Sequence, residues 1–272
     1  MSDFFSAVSG RRGAGGGNVP AAVWAWRCGN AHATGVLPVG GDVVAGGFSS
    51  DTRFRAASVL KPVVAWAVAG AAEYRGSPLL WAQDAAGAVL VSDNLSTEIL
   101  WTRVGGTETV LGRVEELTGV RVQTDGSEHT DPYAFAFGRV VVTAEEVAHM
   151  YMRLVAAAGS GDETARAVVG WMTQTLPSQR FRAAPYGNRD PVKCGWSASS
   201  DETLLRTHAV RVVHHLSGNP KVGVVLTALP FPEGVTKDEY ERLSRSGCEV
   251  AYVNDKAAGR LISMGMVQAF NR

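Results

Sequence analysis

Apolar and polar residues alternate with two different periods along the chain. The longer period, of three to four residues, predicts helices in the middle of the chain. Residues 58–74 are almost continuously apolar, which predicts a helix buried on most sides. Two helices separated by Gly105–Gly106 are predicted next, the second of which has leucine and valine at three-to-four spacing and ends at Gly119. Thr143 and Glu146 form the pattern of a capping box at the start of another helix. The other predictions are a short helix leading into a loop within 77–94, a loop at 121–139, a helix within 162–176 and a closing helical region at 237–270.

The shorter period, the alternation typical of strands, occurs near both ends of the chain. Two short strands are predicted within 19–29 and 41–50, with turn residues between them. Toward the C-terminus, the segments 190–199, 204–216 and 221–230 are β-rich and separated by turn sequences. These three segments are predicted to form an antiparallel meander.

The order strands, helices, strands, helix decides the fold class that we predict. It is α/β of the mixed α+β kind, with one antiparallel sheet contributed by both chain ends, flanked by helices, and a helical subdomain beside it. The glycine-rich residues 1–19 are predicted to be a flexible arm. The sheet subdomain would comprise 20–57 together with 190–272, and the helical subdomain 58–189, within one interleaved domain. A crevice between sheet and helices is where we expect a site.

Composition narrows the classes of function. The 26 basic and 26 acidic residues cancel, so net charge points to neither nucleic acid nor an anionic membrane as a partner. The three cysteines have no paired spacing, which indicates neither a disulfide framework nor a metal site and favours a reducing compartment. The first residues lack the basic start and apolar segment of a signal peptide, and no uncharged stretch reaches transmembrane length. We therefore expect a cytoplasmic protein.

Ser58 and Lys61 begin the first predicted helix and are the first candidates for chemistry. Residues three apart share a helix face, so the Lys61 nitrogen (Nζ) would reach the Ser58 hydroxyl. A serine hydroxyl becomes a good nucleophile when a base removes its proton, and a lysine is such a base at neutral pH if burial or a positive neighbour lowers its pKa. The alternative interpretation is a serine that caps the helix and an exposed first-turn lysine.

Two further motifs follow this pair along the chain. They are "SDN" at Ser92, Asp93 and Asn94, and "KCG" at Lys193, Cys194 and Gly195 on the first strand of the meander. With "SVLK" at 58–61, they make the chain resemble the penicillin-recognising serine enzymes, and among these the class A β-lactamases, from about Ala21 onward. Taken alone, "SDN" also has the composition of a turn, and Lys193 would also suit an edge strand.

The resemblance implies how the proton would move. Ser58 would be the nucleophile and Lys61 its base. Lys193 would lie across the crevice and lower the pKa of Lys61 by its positive charge. Ser92 would bridge the two lysines and relay a proton to the leaving group.

The resemblance also implies how a substrate would be held. Asn94 would orient the amide side chain of the substrate, and Gly195 would belong to the strand that binds it. The oxyanion hole would be the backbone N–H groups of Ser58 and Trp196. Arg206 lies on the next strand, where the family often has an arginine for the substrate carboxylate, and it shares one face with His208.

Release of the acyl group would need a further base. Glu128 falls near the position at which class A enzymes have a loop glutamate that activates water, although a solvated loop carboxylate is an equal alternative. Pro132 stands where the family has an asparagine that holds this water, and Asp131 could substitute for it. His129 is another candidate, since an imidazole titrates near neutral pH.

Several features depart from the family pattern. Cys194 stands where the third motif usually has a hydroxyl that helps to bind a carboxylate, and a thiol is only a weak donor. Trp196 places a bulky indole beside the oxyanion hole, either as a stacking wall or as a core residue. The interval 58–92 is shorter than in class A enzymes, which indicates a reduced helical lid.

Three functions remain open from the sequence. The first is a serine acyl hydrolase of the class A β-lactamase type that cleaves a lactam or amide through an acyl-enzyme on Ser58. The second is an intracellular acyltransferase, amidohydrolase or thioesterase in small-molecule biosynthesis. The third is a non-catalytic ligand-binding domain on the same fold. Each has a small molecule as its partner, and the sequence calls for no metal or organic cofactor.

Overall fold

A five-stranded antiparallel sheet contributed by both chain ends is the centre of the structure. This computed structural model describes residues 21–37, 51–126, 135–197, 204–214, 219–230 and 257–271. In chain order the strands are β1 (Ala21–Cys28), β2 (Ala31–Val36), β3 (Phe54–Arg55), β4 (Gln123–Thr124), β5 (Val140–Val142), β6 (Val192–Ser197), β7 (Leu204–Val213) and β8 (Lys221–Pro230). The sheet has the order β2-β1-β8-β7-β6, in which the pairing of β1 with β8 joins the two ends. The predicted fold class is confirmed.

The strands near the C-terminus agree with the prediction, whereas those near the N-terminus agree only in part. β6, β7 and β8 form the expected antiparallel meander. β2 differs from the prediction, which places turn residues between the two N-terminal strands. The turn needs only Gly29 and Asn30, with Gly29 at a φ of +57°, so β2 can pair with β1 directly after it. The strand predicted within 41–50 and the arm at 1–19 lie outside the described residues.

Seven α-helices surround the sheet in the described part of the chain. They are α1 (Lys61–Val68), α2 (Pro78–Leu90), α3 (Asn94–Arg103), α4 (Thr107–Thr118), α5 (Ala144–Gly159), α6 (Glu163–Thr173) and α7 (Ala257–Phe270). The break between α3 and α4 lies at Gly105–Gly106 and α4 ends at Gly119 in the left-handed conformation, both as predicted. The capping box of Thr143 and Glu146 is present with both of its hydrogen bonds.

The helix predicted over 58–74 is not continuous. A 3₁₀ turn at Ala57–Leu60 precedes α1, and a second one at Ala72–Tyr74 follows it. Pro62 explains the first change: it has no N–H to donate to the Ser58 carbonyl four residues back, and the Lys61 N–H donates there instead. Ser58 therefore lies on a tight turn in front of α1 rather than inside it.

Both faces of the large sheet are buried, and alternate residues of its strands enter two separate cores. The first core lies between the sheet and the helical part of the chain and includes Val210 and Val212 of β7. The second lies against α7 and includes Leu205 and Ala209. A small sheet of order β3-β5-β4 packs beside the first core and holds the segment that leads to Ser58. Along β6 and β7, every second side chain therefore faces the helical part of the chain, and the side chains between them face α7.

Candidate active site

Ser58 lies on a backbone turn that several contacts hold in place. Ser58 is buried, with 8% of the residue exposed. The preceding Ala57 has a φ of +46°, a left-handed conformation that costs a residue with a side chain roughly 1–3 kcal/mol. On the other side, the Tyr151 hydroxyl of α5 donates to the Val59 carbonyl at 2.6 Å. A strained turn that packing holds in this way is typical of a functional site.

Lys61 is fully buried and its nitrogen points to the loop between α2 and α3. Its Nζ donates to the Ser92 carbonyl at 2.6 Å and to Asn94 Oδ1 at 2.7 Å, and it lies 5.1 Å from the centre of the Phe137 ring. Among the described residues no hydrogen bond joins this nitrogen to Ser58 Oγ. The exposed first-turn lysine of the alternative interpretation is thereby excluded.

Lys193, on β6, is fully buried as well and approaches the same loop from the sheet. Its Nζ donates to Ser92 Oγ at 2.7 Å and to the Cys194 carbonyl at 3.2 Å. The two lysines thus meet at one residue, one at the Ser92 carbonyl and the other at its hydroxyl. Because Lys193 shares a strand face with Gly195, its ammonium points to the helices and not to α7.

Ser92, Asp93 and Asn94 form the loop that accepts hydrogen bonds from both lysines. Ser92 has a φ of +60°, which turns its carbonyl toward Lys61 while the hydroxyl meets Lys193. The Asp93 carboxylate caps α3 by accepting the Ser96 N–H at 2.6 Å, a role the sequence analysis did not assign. Asn94 is the first residue of α3. "SDN" is therefore both a turn and the contact between the lysines.

Burial is the main cause of the pKa shifts of Lys61 and Lys193. It lowers the pKa of Lys61 well below its usual value, the charge of Lys193 lowers that pKa further, and Asp93 opposes the shift. Burial also lowers the pKa of Lys193 to about 7. Both shifts favour the neutral form of lysine, the form that a base must have.

Gly195 explains how β6 can lie against the serine turn. A Cβ at this position would stand 2.6 Å from the Ser58 nitrogen and 2.9 Å from the Val59 nitrogen, closer than real Cβ atoms come to backbone. Only glycine lets the strand backbone approach this closely. The backbone of β6 therefore lies directly against the backbone nitrogen of Ser58.

Cys194 and Trp196 have side chains on the opposite face of β6 from Lys193. Cys194 belongs to the second core, and burial raises the pKa of its thiol to about 12. Trp196 packs against the same core, with its ring 5.1 Å from that of Phe181 in an edge-to-face arrangement. The partly buried indole thus packs on the second core, and the thiol lies within that core, where the charges of Lys193 and Arg180 oppose the rise in its pKa.

Arg206 and His208 share the face of β7 that turns toward the helices, as period two predicts, and both are buried. His208 and Tyr151 have no role predicted from the sequence, although both contact the segment around Ser58. Burial of a histidine in the middle of a strand was the one available signal for His208. Tyr151 had none, because its position in the apolar stripe of α5 is that of an ordinary core residue.

The residues proposed for deacylation lie outside the described part of the chain: Glu128, His129, Asp131 and Pro132. Their roles stay predictions. Among the described residues, no group of His, Cys, Asp and Glu side chains is arranged to hold a metal ion. Nor does any described helix combine the length and apolar character that a membrane span requires.

Comparison with solved structures shows which fold this is. A class A β-lactamase from Bacteroides cellulosilyticus superposes with a TM-score of 0.60 at 14% identity, covering 92% of each chain. A class A β-lactamase from Mycobacterium abscessus gives a TM-score of 0.57 at 17% identity, covering 100% of this chain and 99% of the other. The transpeptidase domain of a D,D-transpeptidase from Legionella pneumophila gives 0.55 at 15% identity, covering 91% and 89%.

Sequence comparison adds no relative to these structures. No protein-family model matches the chain, and no curated protein matches it. The structural likeness extends over about nine tenths of the chain, so it includes both the sheet and the helical part. The chain has the fold of the penicillin-recognising serine enzymes, as its three motifs indicated.

Proposed function

We propose that this chain is a serine acyl hydrolase of the class A β-lactamase type, which cleaves a lactam or amide through an acyl-enzyme on Ser58. The observation that supports this most is the meeting of two buried lysines at Ser92, directly beside the serine turn. Burying two ammonium groups destabilises a fold, and a site that needs one lysine as a base and the other as a proton donor near pH 7 is a physical reason for keeping them. The partner would be a small-molecule acyl or lactam substrate.

The hydrogen bonds of Lys61 suit it to be the base. A neutral lysine has two N–H bonds and one lone pair, and Lys61 has two acceptors, the Ser92 carbonyl and Asn94 Oδ1. When both N–H bonds are used there, the lone pair is left for the Ser58 hydroxyl on the preceding turn. Lys61 would take this proton as Ser58 Oγ attacks the carbonyl carbon and forms the new C–O bond.

Ser92 and Lys193 would complete the transfer. When the tetrahedral intermediate collapses, the C–N bond breaks and the leaving nitrogen needs a proton. The Ser92 hydroxyl would supply it and would take another from Lys193, whose Nζ already donates to Ser92 Oγ at 2.7 Å. The negative oxygen of the intermediate would accept the N–H groups of Ser58 and Trp196, donors that are worth about 3 kcal/mol each in such sites.

The test is intact-protein mass spectrometry after brief exposure to a penicillin and to a chromogenic cephalosporin, with hydrolysis followed in the same samples. A covalent adduct of the mass of the lactam is expected on the wild type and not on Ser58→Ala. Ser160→Ala, at the C-terminal end of α5, is the matched control and should label like the wild type. An adduct that survives in Ser58→Ala would disprove the nucleophile.

The fate of the acyl group separates this function from a second candidate, an acyltransferase or amidohydrolase of small-molecule biosynthesis. The position of Cys194 favours this second candidate, because no side-chain hydroxyl at that position is available for a penicillin carboxylate and the thiol lies in the second core. Rapid turnover would support the hydrolase, and a long-lived adduct the transferase. Glu128→Gln should leave acylation intact but slow the release of the acyl group if Glu128 is the deacylating base.

A non-catalytic ligand-binding domain is the remaining alternative. Such a domain has no need of two buried lysines with lowered pKa values, and their burial in the described structure opposes this interpretation. Failure of penicillins, cephalosporins and activated esters to label Ser58 would favour it over both enzymes.

A further inference from the structure

His208, in the middle of β7, uses both of its ring nitrogens to bind backbone. The Thr227 N–H of β8 donates to Nδ1 at 3.1 Å, and Nε2 lies 2.9 Å from the Arg55 carbonyl oxygen. Because a backbone N–H can only donate, Nδ1 must be an acceptor. The proton of the neutral ring is therefore on Nε2, which donates it to Arg55.

The surroundings keep this ring neutral and fixed. The side chain has no exposed surface, and the Phe54 ring packs against it edge to face, with 5.7 Å between the ring centres. Burial lowers the pKa of His208 to about 4, with the charge of Arg206 acting in the same direction. At neutral pH a single tautomer with a single donor thus faces the Arg55 carbonyl.

Arg55 is where the chain enters the serine turn, three residues before Ser58. The next N–H, that of Ala56, donates to the Val140 carbonyl at 2.7 Å and holds the entry to the small sheet. The bond from His208 holds the same entry to the large sheet. The start of the turn is thus fixed between two sheets by the two ends of one peptide group, the carbonyl of Arg55 and the N–H of Ala56.

The partner of His208 across the ladder is Gly195, the residue that touches the other side of this turn. Cross-strand partners lie side by side on the same face of a sheet. His208 sets where the chain enters the turn, and Gly195 sets how closely β6 approaches the Ser58 nitrogen. The two contacts therefore determine the distance between the turn and the strand.

We infer that His208 is a positioning residue for Ser58: its Nε2–H fixes the Arg55 carbonyl, and so the orientation of the serine hydroxyl and N–H relative to β6. The expected effect on the rate rests on the proposed function. The hydrogen bond from His208 to the Arg55 carbonyl is a property of the fold and does not depend on that function. A displacement of about 1 Å at a reacting group is enough to lower a rate about 100-fold.

Two substitutions separate the two hydrogen bonds. Glutamine places its amide nitrogen about where His Nε2 lies, so His208→Gln keeps the donor to Arg55. Asparagine is shorter and places its amide oxygen near Nδ1, so His208→Asn keeps the acceptor for Thr227 but cannot reach Arg55. Both variants bury one amide at the same position, which makes each the control of the other for stability.

The experiment measures two quantities on wild type, His208→Gln and His208→Asn. One is the rate constant for labelling of Ser58 by a penicillin, or by a p-nitrophenyl ester, taken at saturation so that binding and acylation are separated. The other is amide hydrogen exchange of the peptide that covers residues 54–60. His208→Asn should label about 10- to 100-fold more slowly, with little change in the half-saturating concentration, and should exchange faster at this peptide. His208→Gln should resemble the wild type in both.

Each result either supports or overturns the inference. Equal exchange at 54–60 and equal labelling in the Asn and Gln variants would overturn it. Equal loss in both variants, with exchange raised over the whole sheet, would show a merely structural histidine and would also overturn it. If no probe labels the wild type, the proposed function fails, and the exchange of residues 54–60 alone still decides whether His208 holds the turn.

Discussion

Lys193 Nζ donates to Ser92 Oγ at 2.7 Å, and this bond joins residues 101 positions apart in the chain. It connects an interior face of the sheet to the loop between two helices, so it exists only when the sheet and the helical part have docked. Since both groups are buried, the bond depends on a lysine that has been moved out of water. Burial of Lys193 therefore affects both the free energy of unfolding and the proton affinities within the site.

Lys193→Met should stabilise the protein at neutral pH. Replacing a buried ionic group by an apolar side chain of similar volume often raises the free energy of unfolding by about 1–4 kcal/mol. The pKa of Lys193 is lowered to about 7 in the fold, so the unfolded state binds a proton more readily between pH 7 and its usual pKa near 10.5. The advantage of the variant should therefore shrink as the pH is raised through this window. Urea denaturation at pH 7 and pH 9.5 measures it.

The same variant should shift the pH dependence of acylation. Removing the charge of Lys193 removes one of the two causes that lower the pKa of Lys61. Neutral Lys61 would then require a higher pH, so the rising limb of the labelling profile of Ser58 should move upward. Lys221→Met, on β8 and beside Trp26, is the matched control and should leave both stability and profile nearly unchanged. An unshifted profile in Lys193→Met would mean that the charge of Lys193 does not act on the base.

Gly195→Ala should abolish labelling of Ser58 while Gly112→Ala should not. The added Cβ at 195 would meet the Ser58 nitrogen at 2.6 Å, so β6 or the serine turn has to move. At 112, inside α4, nothing lies within 4 Å, and alanine there should raise the free energy of unfolding by about 1 kcal/mol. Labelling by a penicillin together with the melting temperature of both variants provides the comparison. Normal labelling of Gly195→Ala would show that this approach is not needed.

The stability of the wild type should fall in acid more steeply than that of His208→Gln. The folded pKa of His208 is about 4, below its usual value of 6.5, so the unfolded state takes up a proton that the fold excludes. The contribution is fully present above pH 6.5 and is lost as the pH falls toward 4, by up to about 3 kcal/mol. The difference between the two unfolding free energies, followed from pH 7 to pH 4, isolates this group from the carboxylates. A constant difference would contradict the assignment.

Cys194 should be inert to thiol reagents in the folded protein. Burial raises its pKa to about 12 and surrounds the thiol with apolar side chains, so almost no thiolate exists near pH 8. Cys28, which is partly exposed, should react and serves as the internal control. Alkylation by iodoacetamide followed by peptide mass mapping distinguishes the two. Rapid alkylation of Cys194 in the native state would place its thiol in the crevice instead.

Sequence alone determined the fold class and the members of the lysine site. Periods of two and of three to four residues located β1, the meander and α2 to α6, because burial on one face imposes these periods locally. Three short motifs in a fixed order indicated Ser58, Lys61, Ser92 and Lys193. Local capping signals at Thr143 and Gly119 were equally readable, since a cap depends on neighbours within four residues.

Only the tertiary structure decided what each side chain meets. Parity within β6 places Lys193 against the helices and Cys194 against α7, but which face turns toward the site depends on the docking of both layers. The same is true of His208, whose two partners lie 19 and 153 residues away in the chain. Contacts over such distances leave no periodic signal in a single sequence, because their geometry arises from packing and not from local backbone preference.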